Sequence, residues 1–214
     1  MESNKLTKEQ QQLETALCEV RKAHRLIYEY QRRMQDLSWF IKTKLGFDKY
    51  EGYKMFSAPL SSRNTIRLEN WSWDWIYTYV YEYFLGYQEV GDSKTLGLSV
   101  IQISDTGYYA REGAQRTNIS SFLSAEESDT ILMFYLVVRP NTSDNMDWRA
   151  EVIIEENILK DKHSFEPTNR RDLKMVTYPV PLSRFVDEES TMKVLHEFVE
   201  YCNKEVGTQL KIQQ

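Results

Sequence analysis

The sequence predicts an α+β protein: an antiparallel sheet of about five strands packed by a long N-terminal helix and a C-terminal helix. Three observations carry this. Residues 6–45 contain neither Gly nor Pro, and their apolar positions keep helical spacing at Leu13, Leu17, Val20, Ile27, Met34, Ile41 and Leu45. Strand-like segments then follow one another without a helical pattern long enough for parallel crossovers. Helical periodicity returns only near the C-terminus. The expected organisation is one domain overall, with residues 1–46 as a helix packed on a body formed by 47–214.

Thr7 followed by Gln10 offers a capping box at the start of the first helix, and Gly46 stands where a left-handed C-terminal cap belongs. Unbroken from Leu6 to Leu45, such a helix extends about 60 Å. A compact body of this chain length is only about 45 Å across. The expectation is therefore either a break near Asp36 to Ser38 or an outer end that packs on another molecule. One heptad row, Leu13, Val20, Ile27, Met34 and Ile41, is wholly apolar, whereas its neighbour, Leu17, His24, Gln31, Ser38 and Leu45, is polar in the middle. That seam is weak for a long two-stranded coiled coil and suits a helix lying on a sheet or pairing briefly with a second helix.

From Trp71 to Tyr83 every odd position is aromatic, which predicts a long strand with one aromatic face. A helix through Ile76, Val80 and Phe84 is the alternative. Further strands are expected at Leu98 to Ser104, Ile131 to Arg139, Arg149 to Glu155 and Lys174 to Val180. The stretch from Asp105 to Asp129 is long for a hairpin connection and reads as a lid or binding loop. The last element is a helix from about Glu188 to Val206, with Asp187 as N-cap, Gly207 past its end, and an apolar stripe of Met192, Leu195, Val199, Cys202 and Val206.

The chain has 214 residues, a formal net charge of −5, 41% hydrophobic and 28% charged residues, as expected of a globular protein and not of a disordered or membrane-embedded one. No segment of roughly 18 apolar residues occurs, and the polar start Met1-Glu2-Ser3-Asn4-Lys5 lacks the apolar core of a signal peptide. A cytoplasmic protein with two buried thiols, Cys18 and Cys202, is the expectation. Three dispersed histidines, His24, His163 and His196, form no zinc-ligand spacing, so neither a metal nor a cofactor is expected. Gly91-Asp92-Ser93-Lys94-Thr95-Leu96-Gly97 lacks the glycine before its lysine that a P-loop requires and reads as a hairpin turn. Glu151 and Glu155 share a strand face but lie about 13 Å apart, too far for one ion. A metal-dependent nuclease is thus a remote reading.

Charge is unevenly placed. Residues 1–46 carry nine Lys/Arg and six Asp/Glu, net +3, and residues 47–214 carry 18 and 26, net −8. Arg21, Arg25, Arg32 and Arg33 concentrate the positive charge and form a candidate partner face, with Glu29 and Asp36 placed to pair within the helix. The overall acidity disfavours nucleic acid as a ligand. The leading expectation is a non-catalytic interaction or regulatory protein, bound to a protein partner or to itself through the N-terminal helix. The alternative is a small-ligand-binding protein or enzyme with its site between the sheet and the 105–129 loop, where Tyr108, Tyr109, Arg111 and Arg116 supply ring and anion contacts.

Overall fold

Thr7 and Gln10 close the capping box: the Thr7 amide donates to Gln10 Oε1 at 2.7 Å and the Gln10 amide to Thr7 Oγ1 at 3.3 Å. From that start helix α1 runs unbroken from Lys8 to Leu45, 38 residues, and stops where Gly46 adopts a positive φ of 73°. Of the two expected outcomes, the break near Asp36 to Ser38 does not occur. The computed structural model describes residues 7–56, 72, 76, 78–91, 94–140, 161–166 and 173–213. It divides into two compact units, Met1–Leu37 and Ser38–Gln214, with α1 continuous across the boundary.

The second unit holds a six-stranded antiparallel sheet of strands β1 (Glu51–Lys54), β2 (Val80–Val90), β3 (Lys94–Ile103), β4 (Ile131–Pro140), β5 (His163–Phe165) and β6 (Lys174–Pro181). Their order is β1-β2-β3-β4-β6-β5. Gly91, at a φ of 61°, follows β2, and Lys94 to Gly97 already pair with β2 as the start of β3, so the expected turn is confined to the residues before Lys94, where Asp92 and Ser93 lie outside the described residues. The two edge strands, β1 and β5, are short and lack apolar alternation, which is why they escape a search for periodicity. The expected strand at Arg149 to Glu155 lies outside the described residues, as do Glu151 and Glu155.

The aromatic segment departs from expectation. Trp71, Trp73, Trp75 and Tyr77 lie outside the described residues; Thr78 and Tyr79 form a turn, with the Tyr79 amide donating to Ile76 O at 3.2 Å, and regular pairing starts at Val80 and continues to Val90. The described rings Tyr79 and Tyr83 therefore do not share one face. Tyr79 packs with Phe56, ring centres 4.7 Å apart, whereas Tyr83 lies under Tyr50 at 6.2 Å on the opposite side of the sheet. A bulge between Phe84 and Gly86 reverses the alternation again further along, with Gly86 at a φ of 108° that side-chain-bearing residues rarely adopt.

β4 reads Ile-Leu-Met-Phe-Tyr-Leu-Val-Val because both of its sides are covered. Leu132, Phe134 and Leu136 share one face with Leu98 and Val100 of β3 and with Val176, Tyr178 and Val180 of β6. Against this face lies helix α2, Glu188–Val206, which puts Phe198 at 4.7 Å from Phe134 and 5.5 Å from Tyr178. Asp187 caps the helix by accepting the Ser190 amide at 2.8 Å, and Gly207 ends it in the left-handed conformation. The last turns of α1 serve the same side of the sheet. Trp39 packs edge-on against Tyr50 at 5.4 Å, Ser38 hydrogen-bonds the Tyr50 hydroxyl at 2.8 Å, and Ile41 and Leu45 are fully buried. The tail closes over them, the Gln213 amide donating to Lys44 O at 2.7 Å.

A buried glutamine on this face is fully engaged: Gln102 accepts from the Tyr83 hydroxyl at 2.9 Å and donates to Ser104 Oγ at 3.0 Å and Thr78 O at 3.3 Å. At the rim, Arg184 grips Glu197 through two hydrogen bonds of 3.1 and 2.7 Å, and this guanidinium holds the Glu197 carboxyl below its usual range. Phe198 is the side chain on which Phe134 and Tyr178 converge. Phe198→Ala should cost about 3–5 kcal/mol, read as a fall in the denaturant midpoint. A loss below about 1 kcal/mol would contradict this placement of α2.

Candidate interaction surface

Within Met1–Leu37 the described structure is a single helix. Its apolar seam is open over the first heptads. Leu13 is 59% exposed, Leu17 40%, Val20 51% and Ile27 40%. One heptad further on, in the same apolar row, Met34 is buried, and so is Ile41. The row that is uniform in the sequence thus changes from exposed to buried between Ile27 and Met34.

All four candidate arginines are exposed. By helical spacing Arg25, Arg32 and Arg33 lie on the side of the helix away from this seam, whereas Arg21 borders it. Ion pairs along α1 include Glu29 with Arg32 at 2.7 Å and Glu19 with Lys22 at 2.8 Å, each three residues apart. Exposed pairs of this kind contribute only about 0.3–0.5 kcal/mol. Cys18 is half-buried and not fully buried as expected, because it lies on the outer side of the helix; Cys202 is buried in α2, where burial pushes its thiol up. Neither cysteine is in a disulfide.

The 105–129 loop brings together the other candidate residues, and packs them downward. Tyr108 lies 5.2 Å from Phe56 and 5.4 Å from Phe122, Tyr109 lies 5.0 Å from Tyr108, and the Arg116 guanidinium sits 4.4 Å over the Phe56 ring. Arg111 donates to Phe122 O at 2.9 Å. These rings join Tyr79, Val80, Ile101, Ile103, Ile131, Met133, Tyr135 and Val137 as a second core on the sheet face away from α2. Burial pushes the hydroxyls of Tyr79 and Tyr109 well above the ordinary phenol range. The base of the loop is tied by two hydrogen bonds: the Thr106 amide donates to Asp129 O at 3.0 Å, and the Asp129 amide to Thr106 Oγ1 at 2.9 Å.

One charged side chain on this face has no counterpart among the expectations. Glu82 is 2% exposed, the only buried carboxylate among the described residues, and it accepts a short hydrogen bond from the Ser99 hydroxyl across the β2–β3 pair. The alternation of the aromatic segment puts Glu82 at an even position, off the aromatic face. What reveals its burial is the apolar sequence of β3 and β4 beside it, which makes this an inner strand. Among the described residues no group of three His, Cys, Asp or Glu is placed to hold a metal ion, and no helix is long and apolar enough to cross a membrane.

The cation over Phe56 and Tyr108 fastens the loop to the second core. Arg116→Ala should remove about 0.5–2 kcal/mol of that attachment and speed proteolytic cleavage within 105–129 several-fold. Cleavage unchanged from wild type would show that the loop is held by its other contacts alone.

No curated protein and no solved structure matches this sequence. The PM0109 family model matches residues 10–209, which takes in most of α1, the whole sheet and α2. The chain belongs to the PM0109 family.

Proposed function

We propose that this protein is a non-catalytic, cytoplasmic interaction or regulatory protein that self-associates through the seam formed by Leu13, Leu17, Val20 and Ile27 of α1. The observation that carries the reading is their exposure, between 40% and 59%, on a helix whose own unit offers nothing among the described residues to cover them. A row of apolar residues at heptad spacing is the pattern that fits a second helix. The two unpaired thiols support a reducing compartment.

The magnitudes favour a reversible association. Complete burial of a Leu, Val or Ile side chain contributes roughly 1.5–3 kcal/mol, so covering the exposed half of each contributes about 1 kcal/mol. Two copies together gain about 8 kcal/mol, against an association cost of at least about 4 kcal/mol. The remainder corresponds to a pair that forms and separates with concentration, as a regulatory contact requires.

Light scattering on the full chain should show an average mass rising above the monomer as the concentration is raised from about 0.1 mM towards about 1 mM. Val20→Glu puts a charge in the middle of the seam and should return the protein to monomer without lowering its melting temperature, since Val20 is 51% exposed. A wild-type mass that stays monomeric over that range would sink the proposal.

A further inference from the structure

Resting on that self-association, we infer that the partner of the seam is a second copy of α1 running antiparallel, with Leu17 of each copy facing Val20 of the other. The charges flanking the seam select this arrangement. Residues 8–20 of the helix carry Lys8 against Glu9, Glu14 and Glu19, net −2, and residues 21–29 carry Arg21, Lys22 and Arg25 against Glu29, net +2. Reversing one copy lays the acidic stretch along the basic one.

The flanking positions make the choice specific. Glu14 and Arg21 border the seam on one side, seven residues apart, and Ala16 and Ala23 border it on the other; Glu14 and Arg21 are both exposed. In an antiparallel pair each border meets the same border of its partner. With Leu17 against Val20, Glu14 of each copy meets Arg21 of the other, giving two opposite-charge pairs, while Ala16 meets Ala23 and lets the helices approach closely. Sliding the copies by one heptad in one direction brings Arg21 against Arg21, and in the other direction Glu14 against Glu14. In a parallel pair the two different borders meet, which sets Glu9 of one copy beside Glu14 of the other and leaves Arg21 beside Ala16. One orientation and one register alone therefore pair unlike charges.

This register uses residues 8–29 of each copy, about three heptads, and ends before Met34, where the apolar row is buried. It also sets His24 on Leu13 and Gln10 on Ile27 of the second copy towards each end of the overlap, leaving Leu17 and Val20 as the apolar centre. A histidine there keeps the pair weak, in keeping with reversible association.

Sedimentation of the full chain over a concentration series tests orientation separately from association. Glu14→Arg should weaken wild-type pairing roughly ten-fold, because two attractive contacts become two repulsive ones. Arg21→Glu should do the same, and an equimolar mixture of the two variants should recover about wild-type affinity, since both flanking contacts of the mixed pair again join unlike charges. A parallel pair predicts the reverse for the first variant, because the introduced guanidinium would then neutralise Glu9. A wild-type dimer that Glu14→Arg tightens or leaves unchanged would overturn the antiparallel assignment while leaving self-association standing. A wild type that never dimerises would overturn both.

Discussion

A sheet whose central strand is apolar on both sides has to be covered twice, and that requirement organises everything from Ser38 to Gln214. Strand β4 alternates between Leu132, Phe134 and Leu136 on one face and Ile131, Met133, Tyr135 and Val137 on the other, with no charged residue on either until Arg139. On the first face the cover is helical: α2 supplies Phe198, and the end of α1 supplies Ile41 and Leu45. The second face takes its cover from the chain between β3 and β4, folded back so that Tyr108, Tyr109 and Phe122 meet Phe56 and Tyr79. The long connection is thereby explained as a layer of the core. Its arginines serve the same end, one by lying on a ring and the other by donating to a backbone carbonyl.

The same physical requirement is met only in part along α1. Its apolar row is continuous from Leu13 to Ile41, yet burial begins at Met34. Apolar side chains at helical spacing stabilise a helix mainly when something packs on them. Over residues 13–27 that partner is missing from the described residues of the unit to which they belong. A helix capped at Thr7 and stopped at Gly46 is locally specified at both ends, and the exposed seam lies within the helix and not at its end. Pairing on such a surface costs little in ordering the backbone, and this leaves more of the gain from burial to be expressed as affinity.

Much of this architecture was legible in the sequence where local chemistry and burial agree. Thr7 and Gln10, Gly46, Asp187 and Gly207 mark the helix ends correctly because caps are local devices, and the strands Leu98 to Ser104, Ile131 to Arg139 and Lys174 to Val180 stand out because they are inner strands with long apolar runs. The aromatic segment misled for a definite reason. Period-two alternation of rings describes composition, but a turn held by Ile76 O and Tyr79 sends neighbouring odd positions to opposite sides of the sheet. Edge strands such as Glu51–Lys54 carry no apolar pattern, since pairing with β2 and not burial defines them. Of the candidate residues, Tyr108, Tyr109 and Arg116 do converge, but around Phe56, which no spacing rule connects to a loop so distant in the chain. The burial of Glu82 likewise depends on its neighbours across the sheet.

The central claim is that the seam of α1 is an interface, and backbone amide exchange across residues 13–27 addresses it most directly. If the seam pairs with a second copy, exchange of these amides in the wild-type chain will slow as protein concentration rises, while amides of β3 and β4 keep a constant rate. Exchange in this stretch that is independent of concentration, up to the point where a dimer would dominate, would contradict it.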